Sequence, residues 1–487
     1  MYNSPAPMPK IDPAFPDRAL FVRLFKGDVY AVGGFVRDLL RKKPADEVDL
    51  LVAHLPLGVL IEALSPHGKI DVVGRSFGVV KFTRKGRTYD VALPRADRTE
   101  GNGTRRHRDV IVKADPELPL AEDLRRRDFR CNSLAVRLSD GILLDPFNGR
   151  RDIREKILRM TDPAVFPEDP LRVLRAARFA AVLGFRLDPE IYALSPSIDL
   201  SGLSVERINE ELFKILLKAD RPSAGLEELF RLGALRALFP ELYALTLIIQ
   251  DSVFHPEKDD FGHHTVWHHT RLAVDQARRL AAIGGLEPPR ALALLLAALY
   301  HDAGKAETTA WEHKKGRMVI TSAGHDMASE KIAKIAFQRS KIFSWNGYDV
   351  RKTALMLIRT HHRPGELWAH RAEVTRKAFN RLAADSDGEI ELCAYLDTAD
   401  RAGRGGRPVR GLDRRARWLL DMFRRLDGNK DTIQPLLLGR DLIALGASPG
   451  PPLGALLKEL YRRQLDNEFR TKKQGLRLAR SLMGEAR

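Results

Sequence analysis

Three carboxylates in the N-terminal part of the chain have the spacing of a site for a divalent cation. Glu47 and Asp49 stand two apart at the start of an apolar stretch, and Asp90 lies within another. Because side chains alternate along a strand, residues two apart point to the same face. Mg²⁺ prefers oxygen ligands and often bridges substrate phosphates. The carboxylates therefore predict metal-assisted phosphoryl transfer, and a salt bridge to an arginine is the alternative explanation of Asp90.

A pair of glycines, Gly33 and Gly34, precedes these carboxylates. The pair follows an apolar run that ends at Val32, and a predicted helix comes directly after it. Glycines allow a tight turn and a close approach to a ligand, and the free N–H groups of a helix N-terminus suit phosphate. Together with the carboxylates the turn indicates nucleotide binding; alone it is compatible with a simple tight turn.

The elements that must position these residues form an α/β unit. Residues 28–32, 48–52, 79–82 and 88–92 have the apolar patterns of strands, and residues 36–42 are predicted to be a helix. From about residue 153 onward helical patterns dominate. We therefore expect an α+β protein, with a small mixed sheet in an N-terminal head that is followed by all-α regions. The predicted segments are residues 1–26, 27–150, 151–250, 251–405 and 406–487.

Four motifs follow one another in order. They are Gly33-Gly34-Phe35-Val36-Arg37-Asp38 with Glu47-x-Asp49, Arg126-Arg127-Asp128-Phe129 with Asn132, Asp145-Pro146-Phe147-Asn148-Gly149, and Glu168-Asp169-x-x-Arg172 with Arg175 and Arg178. Together they resemble the class II tRNA nucleotidyltransferase and bacterial poly(A) polymerase family. The resemblance extends over most of the chain, so 27–150 would be the nucleotidyltransferase head and 151–250 a helical neck that selects the nucleotide and binds RNA.

The resemblance implies a role for each matching residue. Glu47, Asp49 and Asp90 would hold Mg²⁺ and carry the catalysis. The nucleotide would be bound by Gly33, Gly34, Arg37, Asp38, Arg127, Asp128, Asn132, Asp169, Arg172, Arg175 and Arg178. Within that set the phosphates would be contacted by Gly34, Arg37 and Arg127. The sugar pocket would be shaped by Asp128 and Asn132, and the base would be read by Asp169 and Arg172, with Arg175 beside them.

The spacing of Asp169 and Arg172 supports base reading independently. Residues three apart on a helix are neighbours, and a carboxylate acceptor beside guanidinium donors can match the hydrogen-bonding edge of A or C. An ion pair on a helix surface would have the same spacing.

One residue departs from the family pattern. The family usually has aspartate where this chain has Glu47, and the extra methylene moves the carboxylate outward by about 1.5 Å, one C–C bond. Catalytic geometry tolerates only about 0.5 Å of misplacement. Either the backbone or the metal compensates, or the transferase site is degenerate and the head only binds RNA.

Histidines and aspartates form a second constellation in the C-terminal half. His269 is followed by His301-Asp302 at the end of an apolar run and later by Asp400; His325-Asp326 and His361-His362 lie between them. This order resembles the HD phosphohydrolase superfamily, which implies a divalent transition metal on His269, His301, Asp302 and Asp400. Such ligands can hold a metal that activates water for phosphoester hydrolysis. Structural histidines in a helical core are the alternative.

The amino-acid composition indicates which kinds of binding partner are possible. The formal net charge is +17 with a sequence pI of about 9.9, and residues 401–487 hold 20 Lys/Arg against 9 Asp/Glu. Clustered positive charge indicates a polyanion such as RNA, unless it is merely a solvated surface. The two cysteines lie far apart, which argues against a thiolate zinc site. The longest clean apolar run, 291–300, is too short for a membrane span, and we expect a cytoplasmic protein.

The leading hypothesis is thus an enzyme that adds C and A to the 3′ end of tRNA from CTP and ATP, with a possible phosphohydrolase activity in the second constellation. A poly(A) polymerase and a partial CC- or A-adding enzyme share the motifs. An RNA-binding protein with a degenerate transferase site is the hypothesis of a different class.

Overall fold

The computed structural model describes residues 10–45, 47–73, 78–99, 110–314, 316–405, 407–425, 434–466 and 468–485. The chain divides into two compact units. The first comprises Met1–Leu212 with Glu227–Leu238, and the second comprises Phe213–Leu226 with Phe239–Arg487. The division falls inside the segment 151–250 that the sequence suggested as one neck, so that segment is shared between the two units.

A mixed seven-stranded sheet forms the centre of the first unit. Its strands are β1 (Val29–Val32), β2 (Asp49–Val52), β3 (Lys69–Val72), β4 (Val79–Arg84), β5 (Arg87–Ala92), β8 (Ala135–Arg137) and β9 (Leu143–Leu144). Their order is β3-β4-β5-β2-β1-β8-β9. Only β2 and β5 pair in parallel, and the other pairs are antiparallel. The predicted small mixed sheet is therefore confirmed.

Further elements of the first unit surround this sheet. They are α1 (Arg18–Phe25), α2 (Gly34–Leu40), α3 (Leu57–Leu64), β6 (Arg95–Thr99), β7 (Val110–Ala114), α4 (Leu120–Arg125), α5 (Gly149–Glu155), β10 (Ile157–Leu158), α6 (Leu171–Leu183), β11 (Arg186–Leu187), α7 (Pro189–Leu194) and α10 (Ala234–Leu238). Helices α8 (Val205–Lys218) and α9 (Pro222–Arg231) contribute to both units. The core packs apolar faces of α1, α2 and the sheet together, with Phe21 and Phe82 fully buried. Burying one such side chain stabilises the fold by about 1.5–3 kcal/mol.

The second unit is helical. Its helices are α11 (Pro240–Ala244), α12 (Val266–Ile283), α13 (Pro288–Tyr300), α14 (Lys305–Thr308), α15 (His325–Arg339), α16 (Val350–Thr360), α17 (Arg363–Ala369), α18 (Arg376–Asp385), α19 (Ile390–Gly403), α20 (Arg414–Arg425), α21 (Gly439–Ile443), α22 (Pro451–Leu465) and α23 (Lys472–Glu485). A hairpin of β12 (Ala310–Lys314) and β13 (Arg317–Thr321) interrupts them, which the sequence patterns did not indicate. Across the residues the structure covers, no helix has both the length and the apolar character needed to cross a bilayer.

One bundle of the second unit sets up the histidine constellation. Helix α12 packs along α19 and against α13, and α13 packs against α16. Ala291 to Tyr300 of α13 are all buried, because the helix is apolar on every side and lies within the bundle. The side chain of Thr265 accepts a hydrogen bond from the His268 N–H and so caps the N-terminus of α12. The helices therefore converge where their histidines and aspartates stand.

Candidate active sites

Asp49 and Asp90 lie side by side in the first unit. They are direct register partners in the parallel pair β2 and β5, so their Cα atoms occupy neighbouring positions on adjacent strands. Both residues line a cavity of about 240 Å³, together with three arginines, Arg95, Arg126 and Arg127. Carboxylates and guanidinium groups thus share one cavity, which is the charge pattern that a metal-bound triphosphate requires.

The environments of the three predicted metal ligands differ. Burial raises the pKa of Asp49, and the charges of Asp90 and Glu47 raise it further, whereas Arg127 lowers it. A cation beside Asp49 and Asp90 would remove their mutual repulsion, but among the described residues Glu47, Asp49 and Asp90 do not bring three carboxylate oxygens within 4.8 Å of one another. Asp90 is half-exposed and lies 4.0 Å from Lys81 Nζ, so its presence in a strand carries little burial cost. Glu47 is exposed and precedes the first residue of β2, so the alternation argument applies to it less strictly than the sequence suggested.

Gly33 lies next to two residues that line this cavity, Arg127 and Asp49. Its φ of +71° is a conformation that favours glycine, and a Cβ there would lie 2.9 Å from Arg127 Nη1 and 3.6 Å from Asp49 Oδ2. The glycine therefore allows the turn before α2 to approach both the arginine and the aspartate. The predicted approach of the Gly33-Gly34 turn to a nucleotide stays a prediction.

Asp123 positions the arginines and was not identified from the sequence. Its fully buried carboxylate accepts hydrogen bonds from Arg126 Nη2 at 2.7 Å and from Arg127 Nη2 at 3.2 Å. Burial alone would raise the pKa of Asp123, but the two guanidinium charges outweigh it and lower the pKa. The spacing of three and four residues at the end of α4 was the available signal.

A second connected group begins at Arg37. Its guanidinium donates to Asp38 through Nε and Nη2 and to Asn132 Oδ1 through Nη1, at 2.7 Å for the last. The Asn132 amide in turn donates to Asp128 Oδ1 at 3.0 Å. Arg37 is thus held by protein groups on several of its donors, and the structure assigns it a contact with the predicted sugar-pocket residues rather than with the cavity of Asp49.

The Asp128 carboxylate continues this group to α6. It pairs with Arg175, whose Nη2 lies 2.6 Å from Asp128 Oδ2. Burial would raise the pKa of Asp128, but Arg175 and the Asn132 amide lower it to about 2. Arg178 donates to Glu211 Oε2 at 2.5 Å, and its guanidinium lies 3.8 Å from the centre of the Phe179 ring. Glu211 is a second residue that the sequence did not reveal, because it is 33 positions away.

The two predicted base readers, Asp169 and Arg172, make hydrogen bonds to other residues of the chain. Asp169 accepts from Nη2 of Arg207 at 2.8 and 3.1 Å, and this ion pair is the main reason that its pKa is lowered despite burial. Arg172 donates to the backbone carbonyls of Val165 and Arg126. Helical spacing predicted that Asp169 and Arg172 would be neighbours; α6 begins only at Leu171, so Asp169 lies before the helix, and the charge of Arg172 contributes to its lowered pKa after that of Arg207.

The Asp145 to Gly149 motif has a structural role. The Asp145 carboxylate accepts hydrogen bonds from the N–H groups of Gly149 and Arg150 and thereby holds the first turn of α5. A Cβ on Gly149 would lie 2.2 Å from the Arg130 carbonyl oxygen. The glycine therefore lets α5 pack directly against the segment that carries Asp128 and Asn132.

The second unit brings the four predicted metal ligands of the other constellation together. His269 Nε2 lies 3.0 Å from Asp400 Oδ1 and 3.8 Å from Asp302 Oδ2, and His301 Nε2 lies 3.4 Å from Asp302 Oδ2. All four residues are buried. One nitrogen of His269, one of His301 and a carboxylate oxygen of Asp400 lie within 4.8 Å of one another, as the ligands of a single metal ion must.

Three further histidines extend this cluster. His325, His361 and His362 also have nitrogens within 4.8 Å of one another, and His325 Nε2 lies 3.2 Å from Asp302 Oδ1. Nε2 of His301 and Nε2 of His361 are buried and have no hydrogen-bond partner among the described residues. A buried nitrogen without a partner is costly, and a metal would satisfy it, so the donor set fits a transition metal.

Gly304 allows α15, which carries His325, to pack closely against the segment that follows His301 and Asp302. A Cβ at this position would lie 2.4 Å from the His325 carbonyl oxygen and 2.5 Å from the Ser329 nitrogen, both backbone atoms of α15. The Gly304 N–H also donates to the Ser329 hydroxyl at 2.8 Å. The glycine that follows His301-Asp302 therefore lets the N-terminus of α15 approach closely enough for His325 to reach Asp302.

Electrostatics favour metal-binding protonation states at some residues of the cluster only, since Asp400 and Glu257 raise the pKa of His269 despite its burial and Asp302 raises that of His325. Burial would raise the pKa of Asp302, but His301 and Lys305 lower it well below its usual range. Burial lowers the pKa of both His301 and His361, which favours their neutral forms. Neutral imidazoles and ionised carboxylates are the protonation states that coordinate metals.

Comparisons with known proteins match the regions of the chain that contain the two sites. The chain matches the family model of the poly A polymerase head domain over residues 29–159, that of a probable RNA and SrmB-binding site of polymerase A over 184–245, and that of the HD domain over 266–401. It is 37% identical over 391 residues to the multifunctional CCA protein of Xanthomonas campestris pv. campestris (strain B100), covering 78% of this chain and 86% of that protein.

Two solved structures have a similar fold. The CCA-adding enzyme of Bacillus stearothermophilus in complex with CTP aligns with a TM-score of 0.57 at 22% identity, over 97% of this chain and 100% of that one. The Thermotoga maritima CCA-adding enzyme complexed with tRNA aligns with a TM-score of 0.53 at 20% identity, over 96% of each chain.

A carboxylate and arginine pocket in a mixed sheet, joined in one chain to a helical HD domain, defines a nucleotidyltransferase. The chain belongs to the multifunctional CCA protein family, as its motifs predicted.

Proposed function

We propose that this enzyme adds C and A to the 3′ end of tRNA, taking them from CTP and ATP. The observation that carries the proposal is the register pairing of Asp49 with Asp90 in a cavity that Arg127 also lines. The names of the related proteins support the substrates, since the relative is a CCA protein and the two similar structures contain CTP and tRNA.

In the proposed mechanism Asp49 and Asp90, with Glu47, would hold Mg²⁺. The bound metal would supply activation of the attacking 3′-hydroxyl and neutralisation of charge on the triphosphate during in-line displacement. Arg127 and Arg126, fixed by Asp123, stabilise the phosphates. Because their carboxylate partner is already in place, little reorganisation is needed as charge develops.

The remaining predicted residues hold the nucleoside. Asp128 and Asn132 are fixed by Arg175 and Arg37, so they can present a rigid polar surface to the sugar. Asp38 in turn orients Arg37. Gly33 and Gly34 bring the backbone close to the phosphates, Arg178 stacks on Phe179, and Asp169 and Arg172 read the base.

Glu47 is the predicted metal ligand that departs from the family pattern, so it distinguishes an active transferase site from a degenerate one. Its position before β2 gives it more freedom to adjust than a residue within the strand would have, which supports compensation for the longer side chain. Glu47→Gln should therefore lose most nucleotide incorporation, whereas Glu47→Asp should retain it. Full activity of Glu47→Gln would show that Glu47 holds no metal.

The decisive experiment incubates tRNA lacking its terminal CCA with labelled CTP or ATP and Mg²⁺. Incorporation of both labels, with A dependent on prior C, is the expected result. Incorporation of ATP alone in long tails would identify a poly(A) polymerase, and addition of only C or only one A would identify a partial enzyme. No incorporation would leave an RNA-binding protein with a degenerate site.

A second activity is supported by the histidine cluster. We propose that His269, His301, Asp302 and Asp400 hold a divalent transition metal, with His325, His361 and His362 as additional donors, and that the site hydrolyses phosphoesters. The unpartnered Nε2 atoms of His301 and His361 support this ligand set. Hydrolysis of 2′,3′-cyclic nucleotides in the presence of Co²⁺ or Ni²⁺ is the expected result; a protein that binds no such metal and is inert toward them contradicts the proposal.

RNA contacts in the tail complete the proposal. The basic surface of residues 406–487 would bind the phosphate backbone, so affinity for tRNA should fall steeply as salt rises. A flat salt response would contradict this role. The division into a head (27–150), a neck (151–250), an HD region (251–405) and this tail, after a lead-in of residues 1–26, and a cytoplasmic location belong to the same proposal.

A further inference from the structure

We propose that Glu257 is a positioning residue of the histidine cluster: it holds His269 so that Nε2 of the imidazole faces the metal. The inference rests on the metal site proposed above. His269 Nδ1 lies 2.9 Å from Glu257 Oε1, and its Nε2 lies on the opposite side of the ring, 3.0 Å from Asp400. His269 is entirely buried, so no solvent molecule at the surface can replace the glutamate as its partner.

The other histidines of the cluster are oriented differently. Nδ1 of His301, of His325 and of His361 lies near a backbone carbonyl three residues earlier, at 2.9, 2.7 and 2.6 Å respectively. Those carbonyls belong to Ala298, Ser322 and Ile358. These three histidines stand at helix ends, where the ring can reach a carbonyl of the preceding turn. They are therefore oriented by the backbone.

His269 has no comparable carbonyl because it lies inside α12. Its own N–H bonds to the Thr265 carbonyl, and the carbonyl three residues earlier, that of Val266, belongs to the first turn of α12 and accepts within the helix. Its ring must therefore be oriented by a side chain from outside the helix. Glu257, which lies in the connection before α12, places Oε1 2.9 Å from the ring nitrogen, an ion-pair contact whose angle is not that of a hydrogen bond.

Glu257 is itself held in place. Its side chain is 4% exposed, and Oε1 also lies 3.0 Å from His255 Nδ1 and 3.5 Å from Gln250 Nε2. These contacts leave the glutamate little freedom to rotate away from His269. The connection that carries residues 250–257 is thus part of the cluster, although it contributes no predicted ligand.

Gln250 extends the same support to a second ligand. Its Oε1 accepts a hydrogen bond from Lys305 Nζ at 3.1 Å, and that ammonium lies 2.8 Å from Asp302 Oδ2. Through Gln250, one buried network therefore supports His269 on one side and Asp302 on the other. Both are among the four residues proposed to hold the metal.

The chemical consequence concerns the tautomer of His269. A carboxylate that accepts the Nδ1 proton leaves the Nε2 lone pair for a metal and increases the basicity of the ring. Loss of such a partner typically weakens metal binding by about 10–100-fold. We therefore expect a substitution of Glu257 to weaken metal binding through His269. The histidines that are oriented by backbone carbonyls have no side-chain partner that a substitution could remove.

The experiment titrates the full-length, metal-free protein with Co²⁺ and follows both affinity, by competition with a chelator, and the visible absorption of the bound ion. Excess Mg²⁺ occupies the carboxylate pocket of the head. The variants are Glu257→Gln, Glu257→Asp as a conservative rescue, and Glu312→Gln as a control, since Glu312 is a partly exposed glutamate of the same unit that pairs with Lys314. Melting of the metal-free proteins reports folding.

We expect Glu257→Gln to bind the same number of Co²⁺ ions about 10–100-fold more weakly, Glu257→Asp to recover part of that affinity, and Glu312→Gln to match the wild type. Unchanged affinity in Glu257→Gln overturns the inference. If that variant does not fold, unchanged affinity in Glu257→Asp overturns it.

Two other outcomes would overturn the inference for different reasons. His255, Glu257 and His269 could themselves hold an ion, since their ligand atoms also lie within 4.8 Å of one another. Loss of one whole equivalent of Co²⁺ in both Glu257→Gln and His255→Asn would make Glu257 a ligand and overturn its positioning role. A wild-type protein that binds no Co²⁺ with nitrogen ligands would overturn the metal site itself, and with it this inference.

Discussion

The two sites of this chain present their charged groups in opposite ways. In the head, Asp49 and Asp90 sit on neighbouring strands at a cavity, Asp90 is half-exposed, and the surrounding arginines are held by other side chains such as Asp123. In the HD region, His301 and Asp302 are almost completely buried, and several imidazoles are held by backbone carbonyls.

This difference matches different demands. A transferase must admit a new nucleotide with its Mg²⁺ in each cycle, so its ligands have to remain accessible. A buried histidine cluster suits an ion that stays bound, because imidazole ligands favour transition metals. Substitutions that affect one site and leave the other intact can therefore test whether the two sites act separately.

The largest effect is expected from the paired strand carboxylates. Asp49→Asn or Asp90→Asn should reduce nucleotide incorporation at least about 1,000-fold, because several kcal/mol of metal-dependent transition-state stabilisation would be lost. Co²⁺ binding at the histidine cluster should be unchanged. Asp71→Asn is the matched control, since Asp71 lies in β3 of the same sheet and is exposed. Near-normal incorporation in either variant would remove the metal-ligand role.

The reciprocal substitution tests the other site. Asp302→Asn should lower hydrolysis of 2′,3′-cyclic AMP at least about 100-fold and leave nucleotide incorporation within about twofold, because a metal ligand is lost in only one site. Asp387→Asn serves as control, being an exposed aspartate of the same unit that pairs with Lys352. Parallel loss of both activities in Asp302→Asn would mean that the sites do not act separately.

Stability gives a third measure of the head. The pKa of Asp128 is about 2 in the folded protein, against about 3.9 for an unperturbed aspartate, so its ionisation contributes about 2.5 kcal/mol. The folded pKa is the lower one, so this contribution is present above pH 4 to 5 and disappears as the pH falls toward 2. Asp128→Asn should destabilise the first unit at pH 7, and its difference from wild type should shrink in acid.

The readout must report the first unit alone. All five tryptophans lie in the second unit, so their fluorescence is unsuitable. Hydrogen–deuterium exchange of peptides from α6, compared at pH 7 and in acid, measures the opening of the relevant helix. Asp115→Asn is the control, because Asp115 is exposed. Equal protection of wild type and Asp128→Asn at pH 7 would contradict the stabilising role of the ion pair.

The strands that carry the head carboxylates and the family of the chain could be predicted, because both follow from residues that are close in sequence. The apolar alternation around Asp49 and Asp90 identified two strands, and the motif order identified the family. Arg207, Glu211 and Glu257 were missed because their partners are set by tertiary packing, whereas Asp123 pairs with arginines only three and four positions away, and that local spacing was overlooked. A chain with 81 Lys/Arg and 64 Asp/Glu offers too many possible ion pairs for sequence spacing to single out a pair that is 33 or 38 positions apart.

The smallest effect is expected at Arg207, one of those missed residues. Its contact with Asp169 orients a carboxylate proposed to read the base, and a hydrogen bond to a charged group is worth about 1.5–3 kcal/mol. Arg207→Ala should therefore raise the KM for CTP and ATP about tenfold while kcat changes less, because the chemistry at Asp49 is untouched. Arg186→Ala, an exposed arginine of β11, should have no effect. A fall in kcat without a change in KM would instead connect Arg207 with catalysis, and a change for CTP alone would make it a determinant of which base is accepted.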